Sequence, residues 1–336
     1  MPMDPRVARR LKLRDLHILL EVVNAGSMGK AADRLHVSQP VISKAIASLE
    51  RTLGARLLDR NMRGISLTDY GRAALKCGVA VFDDLKRGVE EIEFIADPTV
   101  GAVRVGCSDP EFASIVSAVI DLLSPRYPRI VFQLIRADQA APFRDLETRD
   151  VDFVIAEPLF SEDHMVAENL YADSAVVAVG LQSPWARRRR VDLVELVDEP
   201  WLLPAPGSYI SSIIVDAFRS CGLSAPQPVV VASSHMRTAL LANGRFVTAI
   251  ASAMLQIGAL RASIKALPVS LPAPYRNVAI VTLKGRSLSP VAQLFIQCAR
   301  EVAKPLVLGH KRSGRGKNGN LSARGATPTR AVRLSP

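Results

Sequence analysis

The sequence contains little cysteine and no long apolar run. Its four cysteines, Cys77, Cys107, Cys221 and Cys298, are far apart and form no CxxC pair, which argues against a metal site and against a disulfide scaffold. No stretch of about 20 apolar residues is present, so we expect no membrane span. The first residues, MPMDPRVARRLKLRD, are charged and lack the apolar segment of a secretion signal. We therefore expect a cytoplasmic protein with reduced thiols.

Motifs that would indicate catalysis are also missing. The sequence has no GxGxxG, P-loop, HExxH or paired-carboxylate motif, and Gly207-Ser208 does not form a GxSxG turn. None of the five histidines lies in a recognisable general-base arrangement. We expect neither an enzyme nor a bound metal or organic cofactor.

Positive charge is concentrated at the two ends of the 336-residue chain, whose length suits two or three domains. The net charge is +11, and residues 1–76 contain 14 Lys and Arg against 7 Asp and Glu. Residues 309–336 contain 7 basic residues and no acidic one, while residues 77–308 are close to neutral. This distribution predicts that the N-terminal part contacts a polyanion.

Residues 27–50, SMGKAADRLHVSQPVISKAIASLE, predict two short helices around a tight turn. Ser27 and Ser38 can cap the two helices, and Pro40 is tolerated in the first turn of the second. One buried stripe along the second helix comprises Ile42, Ile46, Leu49 and Leu53. This is the helix-turn-helix pattern, whose second helix enters the DNA major groove. The alternative is an ordinary helical hairpin with a solvated polar face.

A basic β-hairpin is expected directly after this pair of helices. Short apolar segments at 57–58 and 65–67 flank a turn that carries Arg60, Arg63 and Gly64, which fits a wing that meets phosphates. A surface loop that is only incidentally basic is the alternative. The residues expected at DNA are short polar or basic side chains on the two helices and the wing: Ser27, Arg34, Ser38, Gln39, Pro40, Ser43, Lys44, Arg60 and Arg63.

A long helix is predicted from Thr68, which can cap it, to about Ala96. Its narrow apolar seam favours a second copy as the partner helix, and two copies would present two recognition helices to a roughly palindromic DNA site. Gly78 occupies one seam position and weakens the helix. Residues 97–99, Asp-Pro-Thr, predict a hinge. The seam consists of Leu75, Phe82, Leu85, Val89, Ile92 and Ala96.

From Gly101 onward, apolar β-rich runs alternate with helix-like segments, which predicts an α/β architecture with mainly parallel sheets. One large sheet and two smaller lobes are both compatible with this alternation. The β-rich runs are 103–107, 131–135, 151–156, 175–179, 229–232, 246–250 and 278–283. The helix-like segments lie near 112–124, 142–149, 209–221, 235–243 and 289–303.

The chain resembles the LysR-type transcriptional regulators over roughly residues 11–305. The most specific stretches are AGSMGKAADRLHVSQPVISKAIASLERTLGARLLDR and RGISLTDYGRAAL, followed by RDVDFVIAEP, PGS and GRFVTAIASAML. TDYGRAAL and LLDR resemble the branch that regulates uptake or catabolism of sugars and aromatic acids. Residues 28–30 and 41–44 depart from the usual family pattern, so the base preference stays open.

The resemblance implies an α+β multidomain protein that assembles as a homodimer or a homotetramer. The N-terminal part would be a winged helix-turn-helix with a long linker helix. A two-lobed, periplasmic-binding-protein-like effector domain would follow, and promoter contact leaves RNA polymerase open as a further partner. The expected divisions are a DNA-binding domain at 1–67, a linker and hinge at 68–100, an effector domain at 101–305 and a tail at 306–336. Within the effector domain, lobe I would comprise about 101–172 and 276–305, and lobe II about 173–275.

Hydroxyl side chains follow three predicted strands and precede helices, where a ligand between two α/β lobes would bind. A helix N-terminus favours an anion, so we expect a small anionic metabolite, although each serine could be an N-cap only. Glu157 could accept hydroxyls of a sugar acid or form a surface ion pair. Cys107 is either redox-sensitive or a buried structural residue. The candidate effector-binding residues are Ser108, Arg136, Glu157, Ser208, Ser234, His235 and Thr248.

Two further basic segments have two interpretations each. Four consecutive arginines at 187–190 indicate either a nucleic-acid contact or a solvated loop. Residues 309–336 are rich in Gly, Ser and Arg, which predicts disorder. This tail either adds non-specific affinity for DNA or has no role. Together the patterns favour a ligand-responsive transcription factor. A ligand-independent DNA-binding protein whose α/β domain serves only assembly is the alternative.

Overall fold

The computed structural model describes residues 9–61, 64–137, 141–159, 163–271 and 275–315. A helical N-terminal domain leads through one long helix into two five-stranded sheets. Within these ranges, no helix combines the length and the apolar character that a membrane crossing requires.

The N-terminal domain contains three helices and a hairpin. The elements are α1 (Leu13–Ala25), α2 (Met28–Arg34), α3 (Gln39–Leu53), β1 (Leu58–Asn61) and β2 (Gly64–Leu67), and the two strands pair antiparallel. The predicted helix pair and wing are confirmed. Their apolar faces form one core, in which the predicted stripe of α3 is buried except for the half-buried Leu53.

The predicted ends of these helices are confirmed with one exception. Ser27 Oγ accepts the N–H of Lys30 at 3.1 Å, and Gly54, with φ of 69°, ends α3 in the left-handed region that favours glycine. Ser38 occupies the N-cap position of α3, but its side chain makes no capping bond. Pro40 lies in the first turn of α3, as predicted.

The linker helix, α4, runs from Asp69 to Ala96 and begins where predicted. Thr68 Oγ1 accepts the N–H of Gly71 at 3.0 Å, which caps the helix. Gly78 is buried against α1, and a Cβ at this position would lie 3.0 Å from Leu20 Cδ1. The glycine that interrupts the apolar seam therefore allows α4 to approach α1 closely.

Two separate sheets follow, which settles the choice between one sheet and two lobes. Lobe I has the strand order β4-β3-β5-β12-β6, and lobe II has the order β11-β7-β10-β8-β9. The strands of lobe I are β3 (Val100–Cys107), β4 (Arg129–Arg136), β5 (Phe153–Ala156), β6 (Met165–Asp173) and β12 (Arg276–Leu283). Those of lobe II are β7 (Ala175–Gly180), β8 (Trp201–Leu203), β9 (Pro228–Val231), β10 (Val247–Ala251) and β11 (Ile264–Ala266).

The expectation of mainly parallel sheets is wrong. In lobe I, β3 is parallel to β4 and β5, but β12 is antiparallel to both β5 and β6. In lobe II, β8 is parallel to β9 and β10, whereas β7 pairs antiparallel with β10 and β11. The antiparallel pairs of lobe I both involve β12, the strand in which the chain returns from lobe II.

Helices cover both sheets, and the last of them is longer than predicted. The helices are α5 (Asp109–Glu111), α6 (Ser117–Leu123), α7 (Arg144–Glu147), α8 (Tyr209–Ser220), α9 (Ser234–Leu241), α10 (Ala253–Gln256) and α11 (Pro290–Arg315). A π-helical turn (Phe112–Val116) joins α5 to α6, and the short 3-10 helices are Pro184–Arg187, Leu193–Leu196 and Ala259–Ala262.

The disordered tail was predicted to begin too early. Helix α11 continues through Pro305 to Arg315, because Leu306 is buried in the core of lobe I and extends its apolar face. Residues 316–336 of that predicted tail lie outside the described residues.

Three strands escaped the sequence patterns. β6 is an edge strand whose sequence, MVAENLYAD, contains two acidic residues and has four consecutive exposed positions. β8 and β11 have only three residues each. Neither a strand with four consecutive exposed residues nor a strand of three residues gives a clear alternation of apolar and polar residues.

Candidate functional site

The exposed face of α3 carries the polar residues that the sequence predicts. Gln39, Pro40 and Lys44 are exposed and Ser43 is half-buried, while Ile42 and Ile46 on the opposite face are buried. Ser38, at the start of the helix, is also exposed. This face can therefore approach a surface without disturbing the core of the domain.

The other predicted DNA contacts surround α3. Arg34 is exposed at the end of α2, and Ser27 is half-buried because its hydroxyl caps that helix. Arg60 lies in β1, beside the turn of the wing. Arg63 lies outside the described residues.

A shallow basic depression of about 650 Å³ lies along the C-terminal half of α3. Lys44, Arg51 and Arg56 line it, and all three are exposed. Glu50 also lines it, but its Oε1 accepts the N–H of Leu57 at 2.8 Å and so ties α3 to the chain before β1. The sequence prediction omitted Arg51 and Arg56, although their positions beside Gly54 were a signal that the basic surface extends past the helix end.

The linker seam is divided between two environments. Leu85, Val89 and Ile92 are exposed, as a dimerisation face requires. Phe82 instead packs against the core of the N-terminal domain, where its ring centroid lies 5.6 Å from that of His17. Leu75 is half-buried. The two N-terminal seam residues therefore contribute at least partly to packing within the chain, because α1 covers this part of α4.

The two lobes meet where α5 and the π-helical turn of lobe I contact α9 and α10 of lobe II. Ala253 of α10 is buried in the core of lobe I, although the strands on either side of it belong to lobe II. Gly258 permits this approach, because a Cβ there would lie 2.6 Å from the carbonyl oxygen of Ala113. We call this contact region the crevice; the sequence predicts that an effector binds between the lobes.

The three predicted serine turns lie in this region or beside it, but their hydroxyls have different partners. Ser108 Oγ donates to the carboxylate of Glu111, and Ser208 Oγ caps α8 by accepting the N–H of Ser211 at 3.4 Å. Ser234 is buried, and its Oγ lies 3.8 Å from Met254 Sδ. Ser233, rather than Ser234, is the N-cap of α9.

A buried ionic cluster joins the two chain crossings between the lobes. Arg276, at the start of β12, donates to Glu111 Oε1 at 2.6 Å and lies 3.6 Å from Asp173 Oδ2 at the end of β6. Asp173 Oδ1 accepts from Ser252 Oγ at 2.8 Å. Burial lowers the pKa of Arg276, but Glu111 and Asp173 raise it overall, so the guanidinium stays charged. Tyr209 lies under this guanidinium at 5.5 Å.

Arg237 is the second buried cation of the crevice, and it differs from Arg276. Its Nη1 donates to Thr248 Oγ1 and to the Ala249 carbonyl, both at 2.8 Å, and only 3% of the residue is exposed. Among the residues that the structure describes, no carboxylate forms an ion pair with it, and its Nε has no hydrogen-bond partner. Burial lowers the pKa of Arg237 to about 10, which Asp109 only partly opposes.

Thr248 does not face the crevice, contrary to the sequence prediction. It is fully buried in β10, where its hydroxyl donates to the Leu202 carbonyl at 2.6 Å and accepts from Arg237. The prediction failed because Thr248 lies inside β10, the central strand of lobe II, and not at a strand end beside the other lobe. Thr248 therefore holds Arg237 in place.

The remaining predicted effector residues lie nearer the surface. Arg136 is exposed and pairs with Asp109 at 3.2 Å, and His235 is exposed on α9. Glu157 is half-buried. Burial raises the pKa of Tyr209, Arg276 opposes this rise, and the charges of Asp173 and Glu157 add to it. Glu157 therefore belongs to the same region as the Arg276 cluster.

Cys107 lies fully buried at the end of β3. Burial raises the pKa of its thiol, and the carboxylates of Glu111 and Asp109 raise it further, so the thiolate that oxidation requires is disfavoured. This environment fits the structural interpretation of Cys107 better than the redox-sensitive one.

The sequence patterns missed the buried charges of the crevice: Glu111, Asp173, Arg237 and Arg276. These residues are distant in the sequence, and no local spacing indicates that they meet. The one available signal was Arg237 three residues after Ser234, which places both side chains on one face of α9.

A helix-turn-helix domain joined to a two-lobed α/β domain defines a class of DNA-binding regulators with a small-molecule-binding module. Residues 13–72 match the bacterial regulatory helix-turn-helix protein, lysR family, and residues 96–304 match the LysR substrate binding domain. The second match covers more than half of the chain, which therefore belongs to the LysR family. It is a DNA-binding transcriptional regulator with an effector-binding domain, and its family consists of regulators rather than enzymes.

Individual relatives agree with this assignment. The chain is 29% identical over 270 residues to the HTH-type transcriptional regulator YybE of Bacillus subtilis, covering 80% of this chain and 91% of YybE. It is 27% identical over 296 residues to the transcriptional dual regulator GltC of Bacillus subtilis, covering 85% of this chain and 96% of GltC.

Solved structures share the fold. A full-length OxyR variant from Pseudomonas aeruginosa has a TM-score of 0.59 at 21% identity, covering 88% of this chain and 97% of its own. CbnR in complex with its target DNA has a TM-score of 0.55 at 21% identity, covering 87% of this chain and all of its own. The family matches confirm the predictions of family and general function, and the solved structures confirm the fold class.

Proposed function

We propose that this regulator responds to a small anionic metabolite that binds between its lobes beside Arg237. The observation that carries this proposal is a buried guanidinium with no carboxylate in contact, located where α5 and α9 meet. Burying an unpaired charge costs free energy, and a bound anion would offset that cost.

The neighbouring groups suit a carboxylate or a phosphate ester. Ser234 precedes Arg237 by one helical turn, and Ser108 lies at the start of the facing helix α5. Arg276 already has Glu111 and Asp173 as ion-pair partners, whereas Arg237 has no carboxylate partner among the described residues. Hydroxyls of the same metabolite would find an acceptor in Glu157, which accommodates a sugar acid.

On the DNA side, α3 would enter the major groove. Gln39, Pro40, Ser43 and Lys44 would meet bases or the groove wall, while Arg34, Arg60 and Arg63 would hold phosphates. Arg51 and Arg56 would extend the phosphate contacts along the basic depression. This arrangement rests on the exposed polar face of α3 and the buried apolar face behind it.

The exposed seam of α4 would pair with a second copy through Leu85, Val89 and Ile92. Two copies would bind a roughly palindromic promoter site, and two such dimers would form a tetramer. We place the protein in the cytoplasm, in contact with promoter DNA and, through it, with RNA polymerase. A metabolite that moves the lobes would then change the placement of the dimers and the bending of the DNA.

Footprinting with and without the effector tests this function. A thermal-shift screen of the full chain against small carboxylates and phosphate esters comes first, because a ligand at 100 times its Kd stabilises the folded state by about 2.7 kcal/mol. The stabilising compound should then alter the footprint or the transcription of the neighbouring, divergently read gene. An unchanged footprint together with unchanged transcription would favour the ligand-independent alternative.

The DNA contacts are tested separately with Lys44→Ala. If Lys44 holds a phosphate, affinity should fall about equally for all sequences, and the slope of log K against log salt should decrease by about 1. If it reads a base, the loss should be confined to the specific site. Lys86→Ala on the exposed surface of α4 is the control and should leave the affinity unchanged.

A further inference from the structure

We infer that lobe II contacts the phosphates of DNA beside the site that the N-terminal domain binds, through the four consecutive arginines at 187–190. We call these residues the arginine strip. All four are exposed, and the first of them ends the 3-10 helix Pro184–Arg187. This contact is separate from those of α3 and the wing, and it does not depend on an effector.

Both ends of the arginine strip are fixed to the core of lobe II. Ala186 before the strip and Val191 after it are buried in that core. Ser183 Oγ accepts the N–H of Trp185 at 3.3 Å and so caps the 3-10 helix. Lys265 Nζ, on the edge strand β11, donates to the Ala186 carbonyl at 2.6 Å. The strip therefore spans two anchored positions, and binding would cost it little conformational freedom.

Arg188 holds the middle of the strip on the lobe. Its Nη2 donates to Glu195 Oε1 at 2.7 Å, and its guanidinium lies 5.6 Å from the centroid of the Trp185 ring. Trp185 packs against the core of lobe II. Glu195 Oε2 accepts the backbone N–H of Asp192 at 2.9 Å, so both oxygens of this carboxylate are in use. One arginine of the four thus has a structural role.

The other three arginines present free guanidinium groups. Among the residues that the structure describes, no carboxylate forms an ion pair with Arg187, Arg189 or Arg190, whereas Arg188 has Glu195. Neighbouring like charges repel one another, and a bound polyanion would relieve this repulsion. A guanidinium is a planar fork of donors that matches the oxygens of a phosphate. The strip is therefore a surface suited to several phosphates in a row.

Duplex DNA fits the strip better than an acidic protein does. DNA carries one charge per about 1.7 Å of its axis, which provides an anion for each free guanidinium. A protein partner would have to cover four adjacent cations, and the cores of protein interfaces are depleted of charge. Lobe II, residues 173–275, contains nine Lys and Arg against six Asp and Glu, whereas lobe I, residues 101–172 and 276–305, contains eleven against thirteen. The excess positive charge thus lies on the lobe that carries the strip.

Salt-dependent binding of the full chain to two DNA fragments tests the inference. The short fragment ends at the footprint of the native protein, and the long fragment continues for several helical turns on both sides. The strip variant combines Arg187→Gln, Arg189→Gln and Arg190→Gln and keeps Arg188, so the strip stays anchored. The control variant combines Arg144→Gln, Lys284→Gln and Lys304→Gln, which removes three exposed positive charges from lobe I.

On the long fragment, the strip variant should reduce the slope of log K against log salt by about 2.7 for each strip that contacts DNA. The reason is that each neutralised phosphate contributes about 0.9 to this slope. The control variant should keep the native slope on the long fragment. On the short fragment, the native chain and both variants should have the same slope.

Equal slopes for the native chain and the strip variant on the long fragment would overturn the inference. A reduction of the same size in the control variant would also overturn it, because net charge alone would then explain the loss. A third contradictory result is native binding of both fragments by the strip variant together with weaker transcription by added polymerase. That result would assign the strip to an acidic protein partner.

Discussion

Buried arginines at two places in this protein differ in whether carboxylates neutralise their charge. At the junction between the linker helix and lobe I, Asp83 and Asp152 bond four arginines with distances of 2.7 to 3.3 Å. In the crevice between the lobes, Arg237 is equally buried but bonds only a hydroxyl and a backbone carbonyl. Arginines therefore have carboxylate partners at the linker junction, whereas Arg237 in the crevice has none among the described residues.

This difference separates a structural role from a binding role. Buried ions with bonded counterions fix the relative position of the elements that carry them, because breaking one pair leaves an uncompensated charge. A buried cation without a counterion holds bonding capacity that a ligand can use. The comparison is consistent with a structural role for the linker junction and supports the proposal that Arg237 binds a ligand.

The largest predicted effect is at the linker junction. Asp152→Asn should lower the free energy of unfolding by about 3–5 kcal/mol, because it leaves Arg104 without its carboxylate partner and leaves Arg87 and Arg286 to share Asp83. Chemical denaturation of the full chain measures the change. Asp84→Asn serves as the control and should stay within about 0.5 kcal/mol. A loss below about 1 kcal/mol for Asp152→Asn would contradict the assignment.

Local patterns predicted most of the arrangement but neither of these clusters. The stripe of Ile42, Ile46 and Leu49 and the caps at Ser27 and Thr68 are short-range signals, and they located the helix-turn-helix and the linker correctly. Resemblance to the LysR family added the two lobes. Asp83 and Arg286 are 203 residues apart, so no local pattern predicts that they meet.

The crevice also contains a paired cation, which should give the next largest effect. Glu111→Gln removes the fully buried carboxylate that bonds Arg276 at 2.6 Å, although Asp173 remains 3.6 Å away. We expect destabilisation by about 2 kcal/mol, since the buried Arg276 loses its closest counterion and keeps only a hydrogen bond to a neutral amide oxygen. Thermal denaturation measures this loss, and Glu157→Gln is the comparison because Glu157 is only half-buried. Equal losses in the two variants would mean that pairing in the crevice adds nothing.

Acid titration provides an intermediate test of the linker junction. Burial would raise the pKa of Asp83, but Arg286, Arg87 and Arg149 lower it from 3.8 to about 2. A carboxylate with a depressed folded-state pKa contributes stability that is complete above pH 3.8 and is lost as the pH falls through about 2. Between pH 4 and pH 2, the native sequence should therefore lose about 2 kcal/mol more than Asp83→Asn does. Parallel stability curves for the two proteins would contradict this prediction.

The smallest predicted effect is at Arg237. Arg237→Met removes two hydrogen bonds but also a buried charge without a counterion, so the two contributions oppose each other. We expect the free energy of unfolding to change by no more than about 1 kcal/mol. Chemical denaturation of Arg237→Met and of Asp152→Asn under the same conditions compares the two losses of stability directly. A loss as large as that of Asp152→Asn would show that Arg237 is structural.

The central claim is that the unpaired charge of Arg237 binds the effector. The direct measurement is a thermal-shift screen of small carboxylates and phosphate esters on the native chain, on Arg237→Met and on Arg219→Met, whose arginine is exposed on α8 of the same lobe. The account predicts that the compounds that stabilise the native protein also stabilise Arg219→Met and lose their effect on Arg237→Met. Equal stabilisation of all three proteins would contradict it.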